Sequence, residues 1–191
     1  MKEVKKEKVA ATMEETARAF LLNAELTEKE IAALEKIGYF TAPASIRHHL
    51  NCAGGLVEHS INVTRKMLGL KVFENAASNY RVGMLHDLVK CYCYREKKGG
   101  GGYVWRDTGY PGHGVASVMI AADLGIMLTP SERAAITWHM GVFGMDEDEL
   151  KEYQAATLRY PRPIILTHAA DHLASVFESL NAFANEETFD E

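Results

Sequence analysis

An all-α fold, a helical bundle carrying one small β-hairpin, is what this sequence of 191 residues predicts. Three observations lead there. Helix-start signals recur, in Thr12-Met13-Glu14-Glu15, Thr27-Glu28-Lys29-Glu30 and Thr129-Pro130-Ser131-Glu132, where a capping threonine is followed three residues on by an acid. Apolar residues fall at helical spacing, as in Ile31, Leu34 and Ile37. Strand-like alternation is confined to one place, on either side of Gly99-Gly100-Gly101-Gly102.

Taken in order, residues 1–11 read as frayed and solvated, and the first capping box opens a helix from Thr12 to about Asn23. The second box opens a helix that Gly38 closes. Tyr39 to Ala53 is a loop or short helix, broken by Pro43. Leu56 to Leu70 is a helix, and another runs from about Ser78 to Lys90. Tyr92-Cys93-Tyr94-Arg95 and Tyr103-Val104-Trp105-Arg106 form the hairpin. Its tip is mobile, since ordering four glycines costs much backbone entropy. His113 opens a helix to about Leu124, stopped by Gly125, and the Thr129 helix ends near His139. Asp146 to Arg159 is a charged, partly exposed helix. Pro161 and Pro163 introduce the last long one, to about Ala184. The expected organisation is an N-terminal helical extension at 1–44 packed on the core, a main domain at 45–185 and a tail at 186–191.

Composition narrows the class. With 47% hydrophobic and 25% charged residues the chain is an ordinary globular protein able to build one substantial core. A net charge of −5 and a pI near 5.9 argue against a broadly basic nucleic-acid surface. No apolar run is long enough to span a bilayer, and no secretory signal pattern is present. Cys52, Cys91 and Cys93 make no disulfide framework or zinc ribbon, which suits a reducing cytoplasm.

The chemistry centres on Tyr80-Arg81-Val82-Gly83-Met84-Leu85-His86-Asp87-Leu88-Val89-Lys90. This apolar segment carries an adjacent His and Asp, with Lys90 one turn later on the same side. Buried charge is costly unless paired or bound to metal. Imidazole with carboxylate suits a divalent metal, and the ammonium beside it suits an anionic substrate. Further candidate ligands recur: His59 in Gly54-Gly55-Leu56-Val57-Glu58-His59-Ser60, His113 in Gly112-His113-Gly114, His139 in Trp138-His139-Met140-Gly141, and Asp171 in Leu166-Thr167-His168-Ala169-Ala170-Asp171-His172. Successive members stand about 26 to 32 residues apart, roughly one helix plus its connection. A helical bundle can gather such groups in its core.

At this point the chain resembles the HD-domain metal-dependent phosphohydrolase superfamily, over roughly residues 45–180. The order His59, His86-Asp87, His113, His139, Asp171 fits its binuclear variety. The glycine pair leading into His59 is similar to the matching segment of HD-type 3′–5′ exoribonucleases. The run from His86 to Tyr94 and the motifs around His113 and His139 look closer to small bacterial and phage HD hydrolases.

That resemblance implies a first metal on His59, His86, Asp87 and Asp171. It implies either a second metal on His113 and His139 or phosphate binding by those two beside a single ion. Asp87 is the residue expected to bridge two ions, because its two oxygens can each serve one. The mixed donor set suits Mn, Fe, Co, Ni or Zn, one or two ions, better than calcium or magnesium. Lys90 is expected to pair with a phosphate oxygen or assist proton transfer, so Asp87 and Lys90 are the candidate catalytic residues. Arg95 on the hairpin, with Lys97, Lys98 and Arg106, is a candidate for gathering an anionic substrate. Arg47 and His48 are candidates for the entrance to the site. Glu58 and Asn62 are expected to support the His59 imidazole, while His168 and His172 stay outside the metal set. Tyr103, Trp105 and Tyr110 are either a base-stacking group or hairpin packing.

The function so implied is hydrolysis of a phosphomonoester or phosphodiester by metal-activated water. The substrate class would be a nucleotide, cyclic nucleotide or short oligonucleotide, with the hairpin as a lid. The acidic chain favours a small anion over a long duplex. The alternatives are an HD-type di-iron oxygenase and a non-catalytic nucleotide-binding regulatory module.

Overall fold

The structure, a computed structural model, describes residues 2–46 and 50–186. It is mostly helical, with one small antiparallel hairpin. The helices are α1 (Lys2–Asn23), α2 (Glu28–Lys36), α3 (Gly55–Leu70), α4 (Ala76–Leu85), α5 (Lys90–Cys93), α6 (His113–Asp123), α7 (Pro130–Thr137), α8 (Glu147–Arg159) and α9 (Pro161–Glu186). The hairpin consists of β1 (Tyr94–Glu96) and β2 (Tyr103–Trp105), in the register Tyr94 opposite Trp105 and Glu96 opposite Tyr103.

Local chemistry explains most boundaries. Thr27 accepts the Glu30 N–H while the Glu30 carboxylate accepts the Thr27 N–H, and Thr129 with Glu132 repeats the arrangement at α7. Asp146 caps α8 in the same way through Glu149. Gly38 and Gly125 follow α2 and α6 in the left-handed conformation. Three expectations need correction. First, α1 starts at Lys2, so Thr12 lies inside a helix and is no N-cap; its carbonyl accepts the Thr16 hydroxyl. No glycine or proline interrupts residues 2–23, and the helix formers there extend the helix through the charged start. Second, the helix expected from Ser78 to Lys90 ends at Leu85. Beyond it the backbone bonds tighten to three-residue spacing, Leu88 N–H to Leu85, Lys90 to Asp87 and Cys91 to Leu88. Third, the Tyr92-Cys93 pair expected in a strand belongs to the short helix α5.

One apolar core runs through the bundle. Leu21 from α1 and Leu34 from α2 join Leu56, Ile61 and Met67 of α3, Met84 and Leu85 of α4, Ile120 of α6 and Ile136 of α7, all of them buried. Helix α3 packs on α4 and α9, α7 packs on α9 and α6, and α1 lies across α3 and α4. Tyr39 is fully buried, and its hydroxyl donates to the Met84 carbonyl at 2.6 Å. Two glycines set the closest approaches. A Cβ on Gly83 would collide with Thr64 of α3, and one on Gly114 would collide with the Thr137 carbonyl at the end of α7. The first contact brings α4 against α3; the second brings the start of α6 against the end of α7. Cys52, Cys91 and Cys93 are free thiols. Among the described residues no helix is long and apolar enough to cross a membrane.

A buried ion pair ties three elements together. The Arg81 guanidinium of α4 donates to the Glu132 carboxylate of α7 at 3.0 Å and to the Ala24 carbonyl past α1 at 2.7 Å. Glu132 is fully buried. Substituting Arg81→Met strands that carboxylate, and removing one partner of a buried pair typically costs about 3–5 kcal/mol. Urea denaturation should show a loss of this size; a loss below about 1 kcal/mol would mean the pair contributes little.

Candidate metal centre

Five side chains that sequence reasoning singled out meet in the interior: His59, His86, Asp87, His139 and Asp171. They form two overlapping groups able to hold a metal ion, one of His59, His86 and Asp87 and one of His86, His139 and Asp171. His59 projects from the middle of α3 and Asp171 from the middle of α9, the two helices packed face to face. His86 and Asp87 follow the last residue of α4, and His139 follows the end of α7.

The distances are compatible with donors grouped around a common ion. His59 Nε2 is 3.1 Å from Asp171 Oδ1 and 3.9 Å from Asp87 Oδ2. His86 Nε2 is 3.6 Å from Asp87 Oδ2 and 3.8 Å from Asp171 Oδ1. His139 Nε2 is 3.5 Å from the other Asp87 oxygen, Oδ1. Donor atoms about 2.1 Å from one six-coordinate ion lie about 3.0 Å apart when adjacent and about 4.2 Å when opposite. Every separation here falls in that interval.

Each imidazole is aimed by a partner on its other nitrogen. His86 Nδ1 is 2.9 Å from the Gly83 carbonyl and His139 Nδ1 is 2.7 Å from the Ile136 carbonyl. A carbonyl can only accept, so Nδ1 carries the proton and Nε2 offers its lone pair to the centre. Both histidines use the carbonyl three residues before them, just where a helix gives way to a turn. In an uninterrupted α4 the Gly83 carbonyl would serve the Asp87 N–H, so the ring bond and the early helix end go together. His59 is held differently. Its Nδ1 lies 2.9 Å from Glu178 Oε2, and Glu178 in turn accepts from Asn62 at 2.8 Å. Asn62 thus supports His59 through Glu178. Glu58 faces a separate groove beside Arg65, and its carboxyl is pushed up by burial and by the Glu178 charge.

His86 Nε2 is buried with no hydrogen-bond partner, and His139 Nε2 and Asp87 Oδ1 are buried with only each other, at 3.5 Å. Orphaned buried polar atoms are costly and uncommon. These atoms are all donor types for borderline metals, and a cation fits as the missing partner.

The electrostatics follow. Burial resists the Asp87 charge, but the Lys90 ammonium, 2.9 Å from Oδ2, and His86 hold the carboxyl well below its usual range. Asp171 is also depressed, since His59 and His86 outweigh burial. Burial pushes His86 down to about 4. His59 rises to about 9 because its bonds to Asp171 and Glu178 outweigh burial. Burial is likewise outweighed at His139 by Asp87, which raises that imidazole. Lys90 goes up against its own burial for the same reason.

The centre opens into a cavity of about 650 Å³, lined by His59, Asp87, Lys90, His113 and Asp171 among others. His113 opens α6, where Ser117 accepts the Val89 N–H and donates to the His113 carbonyl, tying that helix to the Asp87 turn. Burial lowers its imidazole, and its Nδ1 is buried and unpartnered. It stands in the cavity wall and belongs to neither His/Asp group. His168 and His172 also line the cavity, the former with Nδ1 donating to the His139 carbonyl at 2.7 Å. Arg95 does not line it. Strand alternation leaves that side chain exposed, while its neighbour Tyr94 and the facing Trp105 border the cavity. Tyr110 packs edge-on against Tyr92. Arg47 and His48 lie outside the described residues.

Sequence reasoning missed Glu178. It lies far from His59 in the chain, and only its place on the face of α9 shared with Asp171, two turns on, signals it. No family model, curated protein or solved structure matches this chain.

Loss of an outer partner typically lowers metal affinity 10–100-fold. Glu178→Gln should therefore weaken Mn²⁺ or Zn²⁺ binding by roughly that factor in calorimetric titration, with the helical circular dichroism unchanged. Unaltered affinity would show that Glu178 does not aim His59.

Proposed function

We propose that this chain is an HD-domain, metal-dependent phosphohydrolase that cleaves a phosphomonoester or phosphodiester, of a nucleotide, cyclic nucleotide or short oligonucleotide. The observation that carries the reading is the buried cluster of His59, His86, Asp87, His139 and Asp171, whose donor groups could hold a metal ion, beside a cavity that His59, Asp87 and Asp171 line. A structural ion would need only the donors. The open cavity beside them, with a buried ammonium in its wall, suits a site that receives an anion.

One divalent ion would be held by His59, His86, Asp87 and Asp171. The two Asp87 oxygens face different partners, Oδ2 toward His59, His86 and Lys90, and Oδ1 toward His139. That division supports Asp87 as a bridge to a second ion on His139 and His113. The imidazole-rich set favours Mn, Fe, Co, Ni or Zn. Bound there, such ions would supply a water made nucleophilic near neutral pH and offset charge on a phosphoryl oxygen.

The chain's own groups do the rest. Lys90 fixes the orientation of Asp87 and brings positive charge to the cavity wall, where it can meet a phosphate oxygen. His113 and His168 border the same space, where a ring N–H can donate to a phosphate oxygen. The apolar packing behind the donors keeps bulk water away from them and strengthens each of these interactions.

Elemental analysis of protein purified without added metal should find a first-row transition metal. Hydrolysis across a panel of nucleotide monoesters and diesters, read as free phosphate or as released nucleoside monophosphate, should be lost with chelator and restored by metal. Asp87→Asn should lower release by roughly 100-fold or more, the scale of losing one preorganised electrostatic group, with circular dichroism unchanged. Full activity in the chelated protein or in Asp87→Asn would overturn the proposal.

A further inference from the structure

The cavity has an apolar rim that phosphate chemistry alone does not call for. Trp105 is 61% exposed and Phe143 is 89% exposed, yet both line the cavity that holds the His/Asp cluster. Met140, 44% exposed, lines it too. Isolated exposed apolar residues are ordinary. These three come from two separate segments, β2 of the hairpin and the turn between α7 and α8, and they converge on one charged pocket. Trp105 stands opposite Tyr94, a further lining residue. Nothing in the packing of the bundle requires large aromatic side chains there, since the core closes beneath them.

We infer that Trp105 and Phe143 form a subsite for a planar aromatic group, a nucleobase, on a substrate whose phosphate sits at Lys90 and the His/Asp cluster. This rests on the phosphohydrolase reading and deepens it by assigning the residues that recognise the base of the substrate. A concave site with a charged floor and an aromatic rim matches a ligand with an anionic end and a flat apolar end. Aromatic side chains stack on any base through its π-face, and truncating one typically loses about 1–3 kcal/mol per base. The subsite thus selects for a base without reading which base it is.

Binding tests this apart from turnover. The probes are the phosphonate analogue of AMP, with CH₂ in place of the bridging oxygen, and the same ribose phosphonate without the base. Both are titrated into the Mn²⁺-loaded protein. The base-bearing probe should bind at least about 10-fold more tightly, and Trp105→Ala and Phe143→Ala should each weaken it by about 5- to 100-fold. Neither substitution should change the affinity of the ribose probe or the metal content. Equal binding of the two probes, with phosphate release intact, would overturn the aromatic subsite and leave the hydrolase reading standing. Failure of both probes to bind the loaded site, with no hydrolysis of any phosphate monoester or diester, would overturn both. A change in oligomeric state on either substitution, without loss of discrimination between the probes, would assign these aromatics to a contact between copies of the chain and also overturn the subsite.

Discussion

Two carboxylates, three imidazoles and an ammonium share one small volume inside an apolar bundle, and the cost of burying them constrains everything around it. A carboxylate taken from water loses several kcal/mol of solvation that only close partners can offset. Asp87 and Asp171 have such partners in Lys90, His59 and the neighbouring rings. The arrangement is still weakly satisfied, because His86 Nε2 has no partner and His139 Nε2 meets Asp87 Oδ1 only at 3.5 Å. A cation held there would lower that residual cost. Binding at such a site adds to the stability of the native chain.

The way the donors are held explains how a helical fold can present them. Side chains in mid-helix point outward from the axis, so His59 and Asp171 reach the centre because α3 and α9 pack face to face. His86 and His139 instead sit where helices end, each ring pinned to the carbonyl three residues earlier. Helix ends leave carbonyls without intrahelical partners, and here the imidazole takes one of them. That fixes the ring plane and the tautomer with a single bond. Gly83 serves both purposes, accepting from His86 and letting α4 approach Thr64 of α3. Gly114 does the parallel service for His113 beside the end of α7.

Much of this was legible in the sequence, and the exceptions share a cause. Capping boxes at Thr27 and Thr129, the stops at Gly38 and Gly125, and the hairpin around four glycines are local signals, and each stands where local chemistry puts it. Thr12 carries the same signal and is overruled, because the residues before it are good helix formers and nothing breaks the helix. His59, His86, Asp87, His139 and Asp171 could be read from residue type and even spacing. His113 came from the same pattern, but spacing along the chain cannot say that it lines the cavity wall beside the cluster. Glu178 could not be read at all, since its role is a contact with a residue distant in sequence. The end of α4 at Leu85 was hidden for a related reason. No proline or turn cluster interrupts Tyr80 to Lys90, and the His86 ring bond that marks the break is a matter of rotamer rather than of residue type.

The site also divides by element in a way that bears on how its specificity is set. Its floor is built from long helices and from turns locked by buried bonds, so the donor atoms keep fixed mutual distances. Its rim comes from the hairpin and the α7–α8 turn, which contribute little to the core. In the hairpin tip, Gly99 to Gly102 all have positive φ and no neighbouring side chain or backbone within reach of an added Cβ. A change there alters what can approach the cavity without disturbing the donors, whereas a change at Gly83 or Glu178 disturbs the donors themselves. Under the proposed function, reaction type would reside in the helical floor and substrate choice in the loops. Such a separation would let a bundle of this kind keep its chemistry while the shape of its entrance varies.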